Sequence, residues 1–222
     1  DRLTGRRAEK RPTERSGRQD TMVNVYLAEI PDSMQENAGF GSVQSAAARR
    51  LLSLALEGEY PELAGTFRVE KNERGKPFLA GHEDIQISLS HSGTVVACAI
   101  AGKAVGVDVE QWKKRTGPER VMRKMHVRER ELLESCLLEE RERTFYDLWV
   151  RKESFLKAVE EGLRLPLDSF CTTGGNAVTK IDQNIREAAY FVRQYRLENI
   201  RCSLAVCGEE AVFAEEPVWL RL

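Results

Sequence analysis

Two acidic residues in the segment GVDVE, residues 106–110, have the type and spacing of a metal site. In a β-strand, Asp108 and Glu110 point to one face, while Val107 and Val109 point to the other face and towards a core. Two carboxylates about 4 Å apart at an effective dielectric near 20 repel each other by about 4 kcal/mol. A hard cation removes that conflict, and oxygen ligands without nearby His or Cys favour Mg²⁺ or Mn²⁺. An exposed strand edge protected by acidic residues explains the pattern equally well.

A second unusual pattern is WVRKESFLK, residues 149–157. At 100° per residue, Lys152 falls inside an apolar arc, and Glu153 and Lys157 lie one turn apart on its shoulder. A solvated pair at this spacing is worth only about 0.2–0.5 kcal/mol, and a long lysine side chain can reach water from an apolar surface. The pattern therefore indicates either an ordinary ion pair or a functional group of charges. The predicted apolar arc comprises Leu148, Trp149, Phe155, Leu156, Val159 and Leu163.

Two shorter segments carry groups that can bind phosphate. ISLSHSG, residues 87–93, ends a predicted strand with Ser90 and His91, and a hydroxyl and an imidazole there can hold a phosphate. An ordinary turn has the same composition, and a Ser-His-Asp triad would lack the usual GxSxG turn. Lys76, in the turn ERGKPF, is by itself a solvated lysine.

The apolar periodicity predicts the elements that position these residues. Runs 85–90, 94–101 and 104–110, separated by short turns, predict an antiparallel meander of three strands. Further predicted strands are 23–30, 66–72, 169–174, 177–181, 188–196, 202–208 and 217–222. The predicted helices are Ser42–Leu56, Val121–Leu138 and Arg141–Glu161, the last ended by Gly162.

This order of elements predicts an α+β fold, a pseudo-twofold monomer of two similar halves. Each half would be a small, mostly antiparallel sheet packed with a long helix. We place the N-terminal half at 22–115 and the C-terminal half at 116–222. Residues 1–21 are rich in charge and poor in large aliphatic side chains, so we expect a disordered leader or tag.

Composition narrows the class of function. A net charge of −1 provides no general attraction to nucleic acid or to an anionic membrane. No apolar run approaches the roughly 18 residues of a membrane span. The five cysteines are scattered without a CxxC pair, so we expect reduced thiols and a cytoplasmic protein. The three histidines form no HExxH motif, which argues against a zinc hydrolase.

The order and spacing of four segments resemble those of the surfactin-synthetase-activator (Sfp-type) class of 4′-phosphopantetheinyl transferases. The segments are GKPF, SLSHSG, GVDVE and WVRKESFLK. The characteristic pair of that family is G[IV]D[IV]E followed by WxxKExxxK, found here at Gly106–Glu110 and Trp149–Lys157. The segments GLRLPLDSF and LAVC also resemble the family, and the resemblance covers Met22 to Leu222.

The resemblance implies an enzyme that moves the phosphopantetheine arm of coenzyme A onto a serine of an apo carrier protein and releases 3′,5′-ADP. The carrier would be an acyl, peptidyl or polyketide synthase carrier domain. Asp108, Glu110 and Glu153 would hold Mg²⁺ or Mn²⁺. Glu153, either directly or through a metal-bound water, would accept the proton of the serine hydroxyl, and Lys157 would contact the attacked phosphate of coenzyme A.

The same resemblance assigns further contacts to coenzyme A. Ser90 and His91 would lie near the 3′-phosphate and adenosine, with Lys76 and Pro77 close by. Either Arg49 or Arg50 would supply another cation. Relatives commonly carry a Lys/Arg-rich helical segment where this chain has PDSMQENAGFG, so binding would depend more on other cations.

Other assignments stay open in the sequence. Lys152 would support the site through buried partners, and either Glu129 or Glu131 matches an acidic position sometimes counted with the metal ligands. The basic stretch 120–131 either faces an acidic helix of the carrier or is a solvated helix face. A metal-dependent nuclease or phosphodiesterase is the main alternative function, because such enzymes also combine acidic pairs with a Glu and a Lys. A non-catalytic carrier-binding module would be expected to lose Asp108 or Glu153.

Overall fold

The computed structural model describes residues 21–31, 40–112, 118–174 and 177–222. The helices in these ranges are α1 (Phe40–Glu59), α2 (Pro118–Met122), α3 (Val127–Ser135) and α4 (Leu138–Val159), with 3₁₀ turns at Pro61–Leu63, Gly162–Arg164 and Glu198–Ile200. The strands are β1 (Met22–Glu29), β2 (Val69–Lys71), β3 (Pro77–Leu79), β4 (Gln86–Ser92), β5 (Val95–Ala101), β6 (Val105–Gln111), β7 (Phe170–Cys171), β8 (Val178–Lys180), β9 (Asp182–Gln183), β10 (Tyr190–Leu197), β11 (Cys202–Glu209), β12 (Val212–Phe213) and β13 (Val218–Trp219).

The first sheet joins β12, β1, β5 and β4 in that order, and β13 also pairs with β1. Strand β5 runs antiparallel to both β1 and β4, whereas β12 and β13 run parallel to β1. Because side chains alternate between the faces of a strand, every second residue of β5 points towards α1. Cys98 and Ile100 pack there against Leu51 and Leu52 of α1. The Ala- and Leu-rich side of α1 thus covers one face of this sheet.

The second sheet joins β6, β11, β10 and β8, all antiparallel to their neighbours. Helix α4 covers one face, where Phe155 and Leu156 pack against Val192 of β10 and Cys207 of β11. The helix that carries WVRKESFLK therefore lies directly on the sheet that contains GVDVE.

The inner faces of the two sheets pack against each other. Val107 and Val109 of β6 are buried in this central layer, as expected from the alternation in GVDVE. The layer order is therefore α1, first sheet, second sheet, α4. Other members of the central layer are Val23, Val25, Leu27, Ala97, Ala99, Leu204 and Val206.

The predicted three-stranded meander is wrong for its third strand. Strands β4 and β5 pair as predicted, but β6 leaves them and pairs with β11, with Asp108 opposite Ala205. The outward amides of β6 are bound by side chains of β4 instead of by a neighbouring strand. Amides of Val107, Val109 and Gln111 donate to serine hydroxyls of β4. The short turn before β6 thus joins two sheets rather than two neighbouring strands.

The predicted helix Val121–Leu138 is also wrong as a single element, because it consists of α2 and α3 with a break between them. His126 caps α3: its ring accepts from the amide of Arg128, and its own amide donates to the carboxylate of Glu129. This capping box starts a new helix and prevents continuity.

Helix α4 begins three residues before the predicted start, Arg141, and ends at Val159. Glu160 rather than Gly162 is the C-terminal cap, with φ of 60° in the left-handed region. Leu163, predicted within the apolar arc, lies beyond this cap and is 70% exposed.

The predicted α+β class is confirmed, with one long helix on each of the two main sheets. Each sheet draws strands from both sides of residue 115, because β6 joins the second sheet and β12 and β13 join the first. The pseudo-twofold relation, the monomeric state and the domain limits stay predictions. Most of the predicted leader, most of PDSMQENAGFG and the boundary near 115–118 lie outside the described residues. In the described part of the chain, no helix is both long and apolar enough to cross a membrane.

Candidate active site

Asp108 lies on the face of β6 that looks away from the central layer and is 6% exposed. Its Oδ1 accepts hydrogen bonds from Ser90 Oγ and from Lys157 Nζ, each at 2.8 Å. Its Oδ2 is buried and has no hydrogen-bond partner among the described residues. A buried carboxylate oxygen without a partner is costly, so this atom is suited to a ligand.

Glu110 follows on the same face, and its Oε2 accepts a hydrogen bond from Ser92 Oγ at 2.8 Å. The serines that bind the two acids also bind the amides of β6: Ser90 Oγ accepts from Val109 at 3.3 Å, and Ser92 Oγ accepts from Gln111 at 3.0 Å. Each hydroxyl therefore fixes both the backbone and a carboxylate of β6. The predicted position of Asp108 and Glu110 on one face agrees with this geometry.

The other side of the site is α4, which approaches β6 closely at Gly106. A Cβ atom at Gly106 would lie 2.0 Å from Ser154 O and 2.6 Å from Ala158 N. Only glycine allows this contact. The close approach brings Lys157 to Asp108, and Lys157 Nζ also donates to the carbonyl of Val107 at 2.9 Å.

A cavity of about 470 Å³ lies between these elements. Its wall includes Glu153 and Lys157 of α4 and Asp108 and Glu110 of β6, so the predicted metal ligands and catalytic residues border one space. The predicted coenzyme A contacts Arg49, Pro77, Ser90 and His91 line it too, together with Ser45, Ala48, Val69, Lys71, Gly75, Leu89 and Trp149. Arg49 therefore fits the predicted role better than Arg50, which is not part of the lining.

Lys76 lines an adjoining cavity of about 270 Å³, which shares Pro77, Glu153 and Lys157 with the larger one. Its Nζ lies 3.2 Å from Glu160 Oε1. Burial lowers the pKa of Lys76, although the Glu160 carboxylate opposes that shift. A larger cavity of about 1060 Å³ lies near the end of the chain and contains none of the predicted site residues.

Lys152 has three polar partners among the described residues. Its Nζ is fully buried and binds Glu129 Oε2 at 2.8 Å and the carbonyl oxygens of Leu167 at 2.6 Å and Phe170 at 2.9 Å. The other oxygen of Glu129 accepts from Thr172 N and Oγ1, both at 2.9 Å. Burial lowers the pKa of Lys152, and Glu129 opposes the shift. Glu129 thus holds Lys152 and does not line the cavity, while Glu131 is exposed.

The donor set fits a hard cation in its chemistry. Asp108 Oδ2 is a buried oxygen without a partner, and Glu110 and Glu153 add carboxylate oxygens around the same cavity. Across the described residues, however, no three His, Cys, Asp or Glu side chains are gathered closely enough to form a ready metal site. The acids therefore suit Mg²⁺ or Mn²⁺ without forming a preassembled cluster.

Sequence reasoning missed Ser92 and Glu160. The alternation of Ser88, Ser90 and Ser92 is a readable signal, because it places three hydroxyls on one face of β4. Nothing local in the sequence indicates that this face meets the edge of β6. Glu160 gives no such signal, since its contacts come from residues more than eighty positions away.

Comparisons with known proteins agree with the geometry. The ACPS family, described as the 4′-phosphopantetheinyl transferase superfamily, matches residues 104–205, which contain both the GVDVE and WVRKESFLK motifs.

Three curated relatives are similar to this chain. A 4′-phosphopantetheinyl transferase of Bacillus subtilis is 32% identical over 144 residues, 64% of this chain and 63% of that protein. The 4′-phosphopantetheinyl transferase gsp of Aneurinibacillus migulanus is 33% identical over 134 residues, 60% of this chain and 55% of that protein. The 4′-phosphopantetheinyl transferase Sfp of Bacillus subtilis strain 168 is 28% identical over 169 residues, 75% of this chain and 74% of that protein.

The matches thus span less than two thirds of the first two relatives. The predicted resemblance to the Sfp-type 4′-phosphopantetheinyl transferases is confirmed, and the model of their superfamily matches just under half of this chain.

Proposed function

We propose that this protein transfers the 4′-phosphopantetheine arm of coenzyme A to a serine of an apo carrier protein and releases 3′,5′-ADP, with Mg²⁺ or Mn²⁺ required. The observation that carries the proposal is the single cavity bordered by Asp108, Glu110, Glu153 and Lys157. The match of residues 104–205 to the 4′-phosphopantetheinyl transferase superfamily supports the reaction type.

The charges around the cavity are arranged as a pyrophosphate ester would require. The buried carboxylate of Asp108 and the half-buried carboxylates of Glu110 and Glu153 form one side. The exposed side chains of Arg49, Lys71 and His91 border the same space. Phosphoryl transfer depends mainly on positioning and on neutralising charge, so the enzyme needs no nucleophile of its own. Arg49, Lys76, Pro77, Ser90, His91 and Lys157 are the proposed contacts to coenzyme A.

In the proposed reaction, the carboxylate of Glu153 accepts the proton of the carrier serine hydroxyl. The serine oxygen then forms a bond to the β-phosphorus of coenzyme A. The bond from this phosphorus to the oxygen of 3′,5′-ADP breaks, and its electron pair leaves with 3′,5′-ADP. Glu153 lines the cavity on α4, one turn before Lys157.

Lys157 would stabilise the charge that develops on the transferred phosphate and the leaving group. Its side chain is 31% exposed, so its ammonium is accessible from the cavity while it binds Asp108. Asp108, Glu110 and Glu153 would hold the divalent cation, which would neutralise the pyrophosphate of coenzyme A when bound.

The remaining parts of the proposal concern the setting of the reaction. We propose a cytoplasmic monomer whose partners are coenzyme A and an acyl, peptidyl or polyketide carrier domain, without nucleic acid or membrane. The net charge of −1 supports this setting, and so does the absence of a disulfide among the five cysteines, all of which lie in the described residues.

The decisive experiment incubates the protein with coenzyme A, Mg²⁺ and apo carrier proteins from fatty-acid, polyketide and peptide synthesis. We expect an intact-mass gain of one phosphopantetheine on at least one carrier, together with formation of 3′,5′-ADP. The Asp108→Ala, Glu153→Ala double variant should lose the gain. No gain on any carrier, or an undiminished gain in the double variant, would exclude the proposal. Degradation of DNA in the same buffer would instead favour a nuclease.

A further inference from the structure

The strands β2 and β3 form a two-stranded hairpin that is separate from the main sheets. Its base is anchored in the core under α1 by Leu79, with Val69 packed alongside. Among the described residues, its tip, residues 72–76, has no strand neighbour beyond the hairpin itself. Because an isolated hairpin is only marginally stable, the position of this tip depends on tertiary contacts.

The described tertiary polar contacts of the tip converge on the end of α4. Asn72 Nδ2 donates to Glu160 Oε2 at 2.7 Å, and Lys76 Nζ lies 3.2 Å from Glu160 Oε1. Arg74 Nη1 donates to the carbonyl oxygen of Glu160 at 3.0 Å and to Glu161 Oε1 at 3.1 Å. One hairpin thus contacts Glu160 at three atoms: it donates hydrogen bonds to Oε2 and the carbonyl oxygen, and its Lys76 forms an ion pair with Oε1 without hydrogen-bond geometry.

Asn72 also organises the turn from within. Its Oδ1 accepts from the amides of Arg74 and Lys76, each at 3.0 Å, and so closes the tip. The two polar atoms of the Asn72 side-chain amide therefore have different roles. Oδ1 stabilises the turn at the tip, and Nδ2 binds the tip to Glu160.

Glu160 occupies a position that favours this contact. It is the left-handed cap of α4, which turns its side chain away from the helix path. The negative end of the helix dipole lies here, and the cations of the hairpin balance it. Arg186 adds further contacts at the end of α4, donating to the carbonyl of Val159 at 2.9 Å and to Glu161 Oε1 at 2.7 Å.

The hairpin and α4 form facing walls of the candidate site. Gly75 and Pro77 of the hairpin line both cavities, opposite Glu153 and Lys157 of α4. The distance between these walls decides how well a ligand fits between them. A contact that holds the tip against α4 therefore sets the width of the site.

From these contacts we propose that Glu160 is a positioning residue. It holds the β2–β3 hairpin against α4 and thereby determines the affinity of the site for coenzyme A. This inference rests on the proposed function for its ligand. Glu160 acts through the hairpin and takes no part in the transfer step, so its loss should raise KM for coenzyme A more than it lowers kcat.

An exchange of donor and acceptor tests the contact. Asn72→Asp keeps Oδ1 for the turn but places a second carboxylate oxygen against Glu160, which repels it. We expect KM and Kd for coenzyme A to rise about tenfold, and hydrogen exchange at residues 72–76 of the free protein to become faster. Adding Glu160→Gln restores a donor facing an acceptor, so the double variant should recover most of the loss.

Glu210→Gln is the matched control, because Glu210 also has a left-handed backbone, with φ of 47°, and an ion pair to a lysine, Lys103. It should leave hairpin exchange and coenzyme A binding unchanged. The proposal is overturned if Asn72→Asp leaves both unchanged, or if the double variant is no better than Asn72→Asp alone. A wild-type protein that neither binds coenzyme A nor modifies a carrier would exclude the proposed function, while hydrogen exchange would still test the contact between Glu160 and the hairpin.

Discussion

The hydroxyl groups of Ser90 and Ser92 each bind both the backbone of β6 and one of its carboxylates. Ser90 and Ser92 accept from amides of β6 and donate to Asp108 and Glu110. A hydroxyl can do both because it has one donor and two acceptor positions. The carboxylates are therefore oriented by the same bonds that hold the two sheets together.

Replacing Ser92 tests this orientation. In Ser92→Ala, Glu110 loses the hydroxyl that donates to Oε2, and we expect the Kd for Mn²⁺ to rise about tenfold, as on removal of other groups that orient metal ligands. Titration followed by the electron paramagnetic resonance of free Mn²⁺ measures it. Ser92→Thr keeps the hydroxyl and should retain affinity. Ser135→Ala removes an exposed hydroxyl on α3 and serves as control. Equal Kd values in Ser92→Ala and wild type would contradict the prediction.

The buried pair of Glu129 and Lys152 has a structural consequence that can be measured separately. In Glu129→Gln, the Lys152 ammonium keeps two carbonyl contacts but loses its counter-charge in a fully buried position. We expect the free energy of unfolding to fall by about 3–5 kcal/mol, as measured by urea denaturation. Glu131→Gln, two residues away and exposed, should change it by less than about 0.5 kcal/mol.

The double variant Glu129→Gln, Lys152→Met separates charge from packing. Because it removes both ionic partners, it should be more stable than Glu129→Gln alone. A Glu129→Gln protein as stable as wild type would show that the pair has no electrostatic importance.

At the scale of elements, the site depends on the contact between β6 and α4. The two elements carry all the proposed metal ligands and Lys157, and their backbones touch at Gly106. The same face of α4 buries Phe155 and Leu156 against the sheet. Core packing therefore sets the separation of the functional groups.

Gly106→Ala tests this contact. Its new Cβ would meet backbone atoms of Ser154 and Ala158, which cannot move without shifting α4. We expect a loss of about 1–3 kcal/mol or more in the free energy of unfolding and a large fall in transfer activity. Gly58→Ala, in α1 with open space around it, should be neutral or slightly stabilising. An unaffected Gly106→Ala variant would mean that α4 is not seated against β6 as described.

At the scale of the whole molecule, the two sheets are interlocked. Strand β6 comes before residue 115 but pairs with β11, while β12 and β13 near the other end pair with β1. The central layer then buries Val107 and Val109 between both sheets. Neither predicted half can complete its sheet or its core from its own residues.

This interlocking predicts a single cooperative unfolding transition. Tryptophan fluorescence and far-ultraviolet circular dichroism should give the same urea midpoint, and the calorimetric and van't Hoff enthalpies should agree. Trp112 and Trp149 report on the second sheet and α4, whereas Trp219 in β13 reports on the first sheet. Two separated transitions would indicate that the predicted halves, 22–115 and 116–222, unfold independently.

The sequence alone determined most of the elements and the chemical character of the site. Alternation in GVDVE placed both acids on one strand face, and helical spacing placed Glu153 and Lys157 together, because side-chain direction follows from local backbone geometry. Motif order was sufficient to find the resemblance to Sfp-type 4′-phosphopantetheinyl transferases, which the comparisons confirm.

Only the tertiary structure decided what these residues contact. Four features of the site and fold join residues distant in the chain or depend on packing. They are the pairing of β6 with β11, the break between α2 and α3, the ion pair of Lys152 with Glu129, and the contact of Glu160 with the β2–β3 hairpin. Local periodicity shows which way a side chain points but carries no information about which surface it meets. That choice is made by the assembly of the whole core, where burial and hydrogen bonding are satisfied together.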